Sequence, residues 1–403
     1  MRQRDRALVY CQRLAMQNKS SIKTNLSIDS VIVGGGIAGV WLLRLLTQKG
    51  YNTILLEQDS LGSGQTLASQ GMIHGGLKYA LSGLLSKESE AISRMPERWR
   101  ECLNSKSGDI DLRKVSLLSK DYYMFSDGQI GKLASFFASK SLRGRIQKVD
   151  QKNKPVCFSG FDGLIYKLND FVLDIESLLS ELTRGLEDRI LKLKCSNQNI
   201  KKIEQGYEIM LSDTCIKSSV LINCAGNGSK ILLDELKIDS FKTQNRPLKQ
   251  IILDAPGQLD MFAHCITNLS TNEPRMTITT HRSASNKIWY VGGQLATNGA
   301  DLTDEKLIEN AKKELRQCMP WLTITDNAWR TFSVDRVEPL TQNRLKPNEA
   351  FAKRSQNFLQ CFPTKLTLTP DLGDKVLKIL DPPGLHEKFV STHTRAEIGS
   401  SPW

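Results

Sequence analysis

A chain of 403 residues, 40% apolar and 24% charged, is long enough for two joined domains and has the make-up of an ordinary globular protein. No stretch reaches the roughly eighteen apolar residues of a membrane-spanning helix. The formal net charge of +12 suits an anionic small molecule or membrane surface, but the basic residues are scattered and not interleaved with aromatics, which argues against nucleic acid.

Nine cysteines without CxxC or regular spacing fit neither a zinc pattern nor a secreted disulfide framework, and suit a reducing, cytoplasmic setting. The five histidines form no HxH or HExxH, so no metal is expected. Residues 1–28 carry six Lys/Arg against one acid and read as a basic extension, suited at most to weak, peripheral membrane association.

The first strong pattern is DSVIVGGGIAGVWLLRLLTQKGYNTILLE, from Asp29 to Glu57. The β-branched run Val31–Val33 predicts a strand that leads through Gly34-x-Gly36-x-x-Gly39 into a helix from Ala38 to about Gln48. Lys49-Gly50 ends that helix, and Thr53–Leu56 predicts a second strand, closed by Glu57. Each part of such a βαβ unit has a physical task. Gly34 permits the tight turn, Gly36 lets backbone approach a pyrophosphate, and Gly39 lets helix and strand pack closely. The helix start at Ile37 and Ala38 offers unpaired N–H groups and a positive dipole end to phosphate. Glu57 suits ribose hydroxyls and disfavours a 2′-phosphate, which points to the ADP-ribose of FAD or NAD.

After Glu57 the chain reads QDSLGSGQTLASQGMIHGGLKYAL, where an ordinary NAD domain would place another crossover helix. A small-residue loop of this length suits backbone running along an extended cofactor, with Gln58, Thr66, Ser69, Gln70, Gly71 and His74 as candidate contacts. SQGMIHGGLKYAL resembles the segment after the second strand in FAD-dependent glycerol-3-phosphate dehydrogenases, within the broader D-amino-acid oxidase superfamily. Two further segments carry the resemblance. Val220–Ser229 is similar to the family's second cofactor-contact strand, which implies contacts at Ala225 and Gly226. Asn357–Val376 is similar to its closing strand, loop and helix, which implies contacts at Lys365, Leu366 and Thr367. FAD is the cofactor so implied. In the family the flavin-lining stretch ends in an Arg/Lys-Tyr pair that holds an anionic substrate, here Lys78 and Tyr79. Arg336 resembles the arginine that binds substrate phosphate or carboxylate, with Val337-Glu338 inserted before Pro339. The family's loop before the closing helix is Gly-rich, whereas here it is Cys361-Phe362-Pro363-Thr364-Lys365, which puts bulky groups and a rigid proline beside the flavin.

Along the rest of the chain a helix is expected around Glu88 to Leu103, strand alternation at Lys114–Phe125 and helical spacing at Ile130–Leu142. Leu173–Leu186 is amphipathic with Asp174 as N-cap. Strands are predicted at Ile190–Leu193, Gly206–Leu211, Lys249–Leu253, Met276–Thr280 and Ile288–Val291, and a helix at Asp304–Met319. His281 and Arg282 end one strand and are secondary site candidates, whereas Trp289-Tyr290 reads as buried core.

The expected fold is α/β. A discontinuous Rossmann-like FAD-binding domain (29–105, 159–235 and 331–382) carries an inserted, mainly antiparallel α+β substrate domain (106–158 and 236–330), with a loose polar tail at 383–403. The function expected is oxidation of a small anionic alcohol or amine by hydride transfer to flavin, with a quinone or oxygen as acceptor. A glycerol 3-phosphate-like substrate is favoured, with His74, Lys78, Tyr79 and Arg336 as the residues at the chemistry. A D-amino-acid or glycine-type oxidase is the enzymatic alternative. An FAD-binding protein without turnover, or one associated with tRNA modification, is the alternative of another class.

Overall fold

The structure, a computed structural model, describes residues 24–76, 87–105, 108–126, 146–212, 214–266, 273–283, 286–326, 328–341, 347, 349–385, 389 and 393–403. At its centre Thr24–Val33 runs parallel to both Thr53–Glu57 and Thr214–Asn223, with Ile190–Lys192 outside Thr53–Glu57. The far edge of Thr214–Asn223 is shared. Cys215–Ser218 pairs antiparallel with Gly206–Met210, and Leu221–Asn223 pairs parallel with Phe358–Phe362. A parallel sheet is buried on both faces, so these strands read as apolar runs rather than alternation.

Helices Ile37–Gln48, Ile175–Thr183 and Thr369–Ile379 pack together on one face. The second starts as expected, with Asp174 accepting from Ser177 N at 3.1 Å. Gly373 lets the third approach the first, since a Cβ there would stand 2.6 Å from Leu45 Cδ2. Helix Lys87–Asn104 then fastens the start of Thr369–Ile379. Trp99 Nε1 donates to Thr367 O at 3.0 Å, and Arg98 grips both oxygens of Asp374 at 2.8 Å.

The second large sheet has the order Arg330–Pro339, Thr243–Asp254, Asn286–Gly292, Met276–Ser283, Ala263–Ile266, Tyr122–Ser126, Ile165–Leu168, Ile146–Lys148. All neighbours are antiparallel except Ala263–Ile266 with Tyr122–Ser126. Alternation splits its residues cleanly. Ile251, Leu253, Ile278 and Val291 pack under helix Asp304–Cys318 through Leu307, Ala311 and Leu315, whereas Gln250, Thr277 and His264 face the first sheet.

The structure corrects four expectations. The first strand begins at Thr24, inside the assumed extension, because Thr24–Ile28 continue the pairing with Thr214–Ser218. Ile165–Leu168 and Arg330–Pro339 belong to the antiparallel sheet, so the chain returns to the cofactor side after these strands rather than before them. The tail is not loose over 393–403. Lys192 N donates to Thr394 O at 2.7 Å, Leu61 N to Glu397 O at 2.8 Å and Gly399 N to Leu61 O at 3.0 Å, with Ala396 buried beneath. Trp403 then stacks on His281, ring centroids 4.0 Å apart, so His281 is buried against the strap rather than lining a cavity. Burial pulls the His281 imidazole down to about 3. The helical spacing at Ile130–Leu142 lies outside the described residues.

Candidate active site

The glycines of the first turn are there because other atoms occupy the space. Gly34 has φ +107°, and a Cβ there would stand 2.6 Å from Ala225 Cα and Cys224 O. A Cβ on Gly39 would come 1.9 Å from Gly34 O. Gly36 caps helix Ile37–Gln48 without a side-chain hydrogen bond, and the first turn holds no acid, so the positive helix end is left for an anion. Thr66 Oγ1 accepts from Ile37 N at 2.9 Å and ties the following loop to that end. Glu57 accepts from Gly35 N at 2.6 Å and from Asp59 N at 2.9 Å, one bond on each oxygen. An ionised carboxylate has about four lone-pair sites, so it retains acceptor capacity for a ligand.

These groups line one end of a cavity of about 760 Å³, within the ordinary size range of small-molecule sites. Gly34, Gly36, Ile37, Ala38, Glu57, Gln58, Thr66, Ser69, Gln70, Gly71, His74, Ala225, Gly226, Lys365, Leu366 and Arg336 all line it. Two expected contacts do not. Gly39 acts beneath the turn, and Thr367 is fully buried, with Oγ1 donating to His74 O at 3.0 Å and accepting from His74 N at 3.3 Å. Thr367 therefore couples the flavin-lining segment to the closing helix. Lys78 and Tyr79 lie outside the described residues.

The loop after Glu57 is held by the antiparallel sheet. Gln70 Nε2 donates to Thr277 O at 3.0 Å and Tyr290 O at 2.9 Å, and the Tyr290 hydroxyl donates to Ala68 O at 3.0 Å. Burial pushes the Tyr290 phenol well up, which keeps it a donor. At the other edge Cys361–Lys365 lines the cavity without filling it. Thr364 takes φ +61°, a conformation better suited to glycine. It is held there by Thr364 Oγ1 donating to Glu349 O at 2.9 Å and by Lys365 Nζ donating to Pro347 O at 2.6 Å.

Several lining residues escape a sequence reading. Asp170, nearly buried, accepts from Gly75 N at 3.0 Å. His264, 6% exposed, pairs through Nδ1 with Thr277 Oγ1 at 2.9 Å. Gln250, Thr277, Met124 and Leu168 complete that side. They come from strands and a connection far apart in the chain, so no local motif announces them. A short Gly292-Gly293 signal was available, for Gly292 keeps a Cβ away from Gln250 Oε1 at 3.0 Å and Gln70 Oε1 at 3.3 Å.

The profile of the family described as FAD dependent oxidoreductase (DAO) matches residues 29–341. The chain belongs to that family. A probable FAD-dependent oxidoreductase of Pseudomonas aeruginosa, PA4991, is 40% identical over 370 residues, covering 89% of this chain and 92% of the relative. The crystal structure of PA4991 superposes with TM-score 0.79 at 32% identity over 94% of this chain and 98% of that one. A glycerol-3-phosphate dehydrogenase of Synechocystis is 41% identical over 64 residues, 16% of this chain and 11% of its own. The FAD-bound, dithionite-reduced L-alpha-glycerophosphate oxidase of Mycoplasma pneumoniae shares the fold, with TM-score 0.62 and 14% identity over 94% of this chain and 99% of that one.

The oxidoreductase thus uses FAD, and its residues fit that cofactor. The uncapped helix end beside Gly36 suits the diphosphate, Glu57 the adenosine ribose, and the backbone of Gly71, His74 and Leu366 the far end of an extended ligand. Among the described residues no group of three or more His, Cys, Asp or Glu is placed to hold a metal, and no helix is long and apolar enough to cross a membrane.

Proposed function

We propose that this oxidoreductase oxidises a small anionic alcohol, with glycerol 3-phosphate the favoured substrate, and passes the electrons to a quinone or oxygen. FAD, when bound, supplies the hydride acceptor. The observation that carries the reading is one continuous cavity. The nucleotide-binding glycines line one end, and His74, Arg336 and the polar face of the antiparallel sheet line the rest. His74 Nδ1 accepts from Gly76 N at 3.2 Å, so the neutral ring carries its proton on Nε2 and serves as a donor. Arg336 brings a guanidinium able to grip phosphate or carboxylate. The resemblance of SQGMIHGGLKYAL adds Lys78 and Tyr79 as the anion-holding pair. A substrate carboxylate suits Arg336 equally well, which supports a D-amino-acid or glycine-type oxidase as the second reading.

The test is an anaerobic titration of the FAD-loaded protein with glycerol 3-phosphate, then with D- and N-substituted amino acids, following the flavin absorbance. Bleaching by glycerol 3-phosphate is expected. Bleaching by an amino acid alone would select the second reading, and bound flavin that no compound bleaches would overturn both.

A further inference from the structure

Residues 394–403 cross from the outer edge of the cofactor sheet to the antiparallel sheet. They dock first on strand Ile190–Lys192, where Arg395 bridges to Leu191 and Lys192 N donates to Thr394 O at 2.7 Å. The strap then grips Leu61 through both backbone groups, Leu61 N donating to Glu397 O at 2.8 Å and Gly399 N to Leu61 O at 3.0 Å. Ser401 N and Oγ both donate to Glu176 Oε1, at 2.9 and 2.7 Å, in the first turn of helix Ile175–Thr183. Trp403 finally packs on His281 and Tyr290, ring centroids 4.0 and 5.2 Å away.

These landing points control the loop that follows Glu57. Leu61 is fully buried and presses on the first turn, for a Cβ on Gly35 would stand 2.5 Å from Leu61 Cδ2. A Cβ on Gly399 would stand 3.1 Å from Leu67 Cδ1 and 3.3 Å from Ser60 Cβ, so the strap lies directly on the loop. Farther along, Tyr290, against which Trp403 packs, donates its hydroxyl to Ala68 O at 3.0 Å. Trp403 also packs on the apolar cluster of Ile252, Ile288 and Tyr290, together with Phe332, which lines the cavity. One segment therefore holds the loop directly at Leu61 and, through Tyr290, at Ala68. Between these two points residues 62–66 line the nucleotide end of the cavity.

We propose that this strap is the latch of the cofactor site: seated, it retains FAD, and its release from Leu61 and Tyr290 frees the loop for FAD to enter and leave. This rests on FAD as the cofactor, whatever the substrate. The strap is suited to opening while both sheets stay folded, because hydrogen bonds tie it at separated points and Ala396 alone in it is fully buried. The loop keeps inner ties of its own, Gly62 N to Gly35 O and Ile37 N to Thr66 Oγ1, each at 2.9 Å, and neither involves a strap residue. Lifting the latch thus loosens the loop without dismantling the first turn. Because strap and cofactor act on the same loop, each stabilises the seating of the other.

The test follows FAD release from the loaded protein after dilution, by the change in flavin fluorescence, in the parent and in Trp403→Ala, Trp403→Phe and Leu322→Ala. Leu322 is half-buried in the cluster under helix Asp304–Cys318, and its variant reports the effect of lost packing alone. Trp403→Ala is expected to release FAD about tenfold faster, Trp403→Phe within about threefold of the parent, and Leu322→Ala at the parent rate. Release from Trp403→Ala at the parent rate, or equal acceleration by Leu322→Ala, overturns the proposal. Amide hydrogen exchange in the parent gives a second readout that needs no variant. Loading with FAD is expected to slow exchange at Leu61 N and Gly399 N more than at Leu322 N, which donates to Met319 O outside the loop. Slowing no greater at the strap than at Leu322 overturns the latch.

Discussion

The cofactor wall and the sheet floor enclose one cavity but are built differently. The wall is backbone: Gly34, Gly36 and Gly39 act through the absence of a Cβ, and Glu57 and Thr66 hold main-chain N–H groups. The floor is side chains, contributed by separate strands scattered from Met124 to Glu338. A wall of this kind is stringent and ligand-general, because a diphosphate makes the same demand on the backbone whatever the substrate. A floor of this kind can change one residue at a time, which is where substrate choice is free to vary.

That contrast is breakable first at Gly39. Gly39→Val puts carbon within 1.9 Å of Gly34 O, and a loss of about 4 kcal/mol or more is expected. The readout is soluble yield, melting temperature and flavin colour; a stable, yellow variant would show that the turn is not backbone-limited. Next is Glu57→Leu, which leaves the N–H groups of Gly35 and Asp59 without their acceptor and removes the candidate ribose contact. FAD affinity is expected to fall by about 2 kcal/mol, roughly 30-fold, in a fluorescence titration of the apoprotein. Unchanged affinity would dissociate Glu57 from the nucleotide.

An effect of similar size is expected at His281. Folded, this imidazole protonates only near 3, whereas the unfolded ring does so near 6.5, so between these values the unfolded state holds the extra proton. Stability therefore falls as pH drops through that window, by about 1 kcal/mol per pH unit. Melts at neutral pH and near pH 4.5 should differ less in His281→Gln than in the parent, and an equal difference would assign the acid sensitivity elsewhere. The smallest effect belongs to Thr364→Gly. Relief of the φ of +61° and loss of the hydrogen bond to Glu349 O oppose each other, and a net change under about 1 kcal/mol is expected by denaturant titration. A larger loss would mean that the bulky edge loop depends on that one hydroxyl.

The same contrast explains what the sequence disclosed. Gly34-x-Gly36-x-x-Gly39 with its strands and Glu57 is local, so the strand, turn, helix and second strand were legible from that stretch alone. The polar helix Asp304–Cys318 and the capped helix after Asp174 were legible for the same reason. His264 was not, because its partner Thr277 and its neighbours Met124 and Leu168 meet it only through sheet pairing. Gln70 was half visible: the residue was expected in the cofactor loop, but its hold on Thr277 and Tyr290 is a long-range fact. The tail misled because its anchors, Ala396, Ile398 and Trp403, are spaced too irregularly to read as an element.

Gln70 also gives the molecule a chemical clock. Its amide nitrogen faces two carbonyl oxygens, and glycine follows it in the chain. Slow hydrolysis of that amide would exchange a donor for a carboxylate at a spot where both neighbours can only accept. Ageing of the purified protein would then loosen the hold of the antiparallel sheet on the cofactor loop, with a mass gain of about one dalton as a covalent trace.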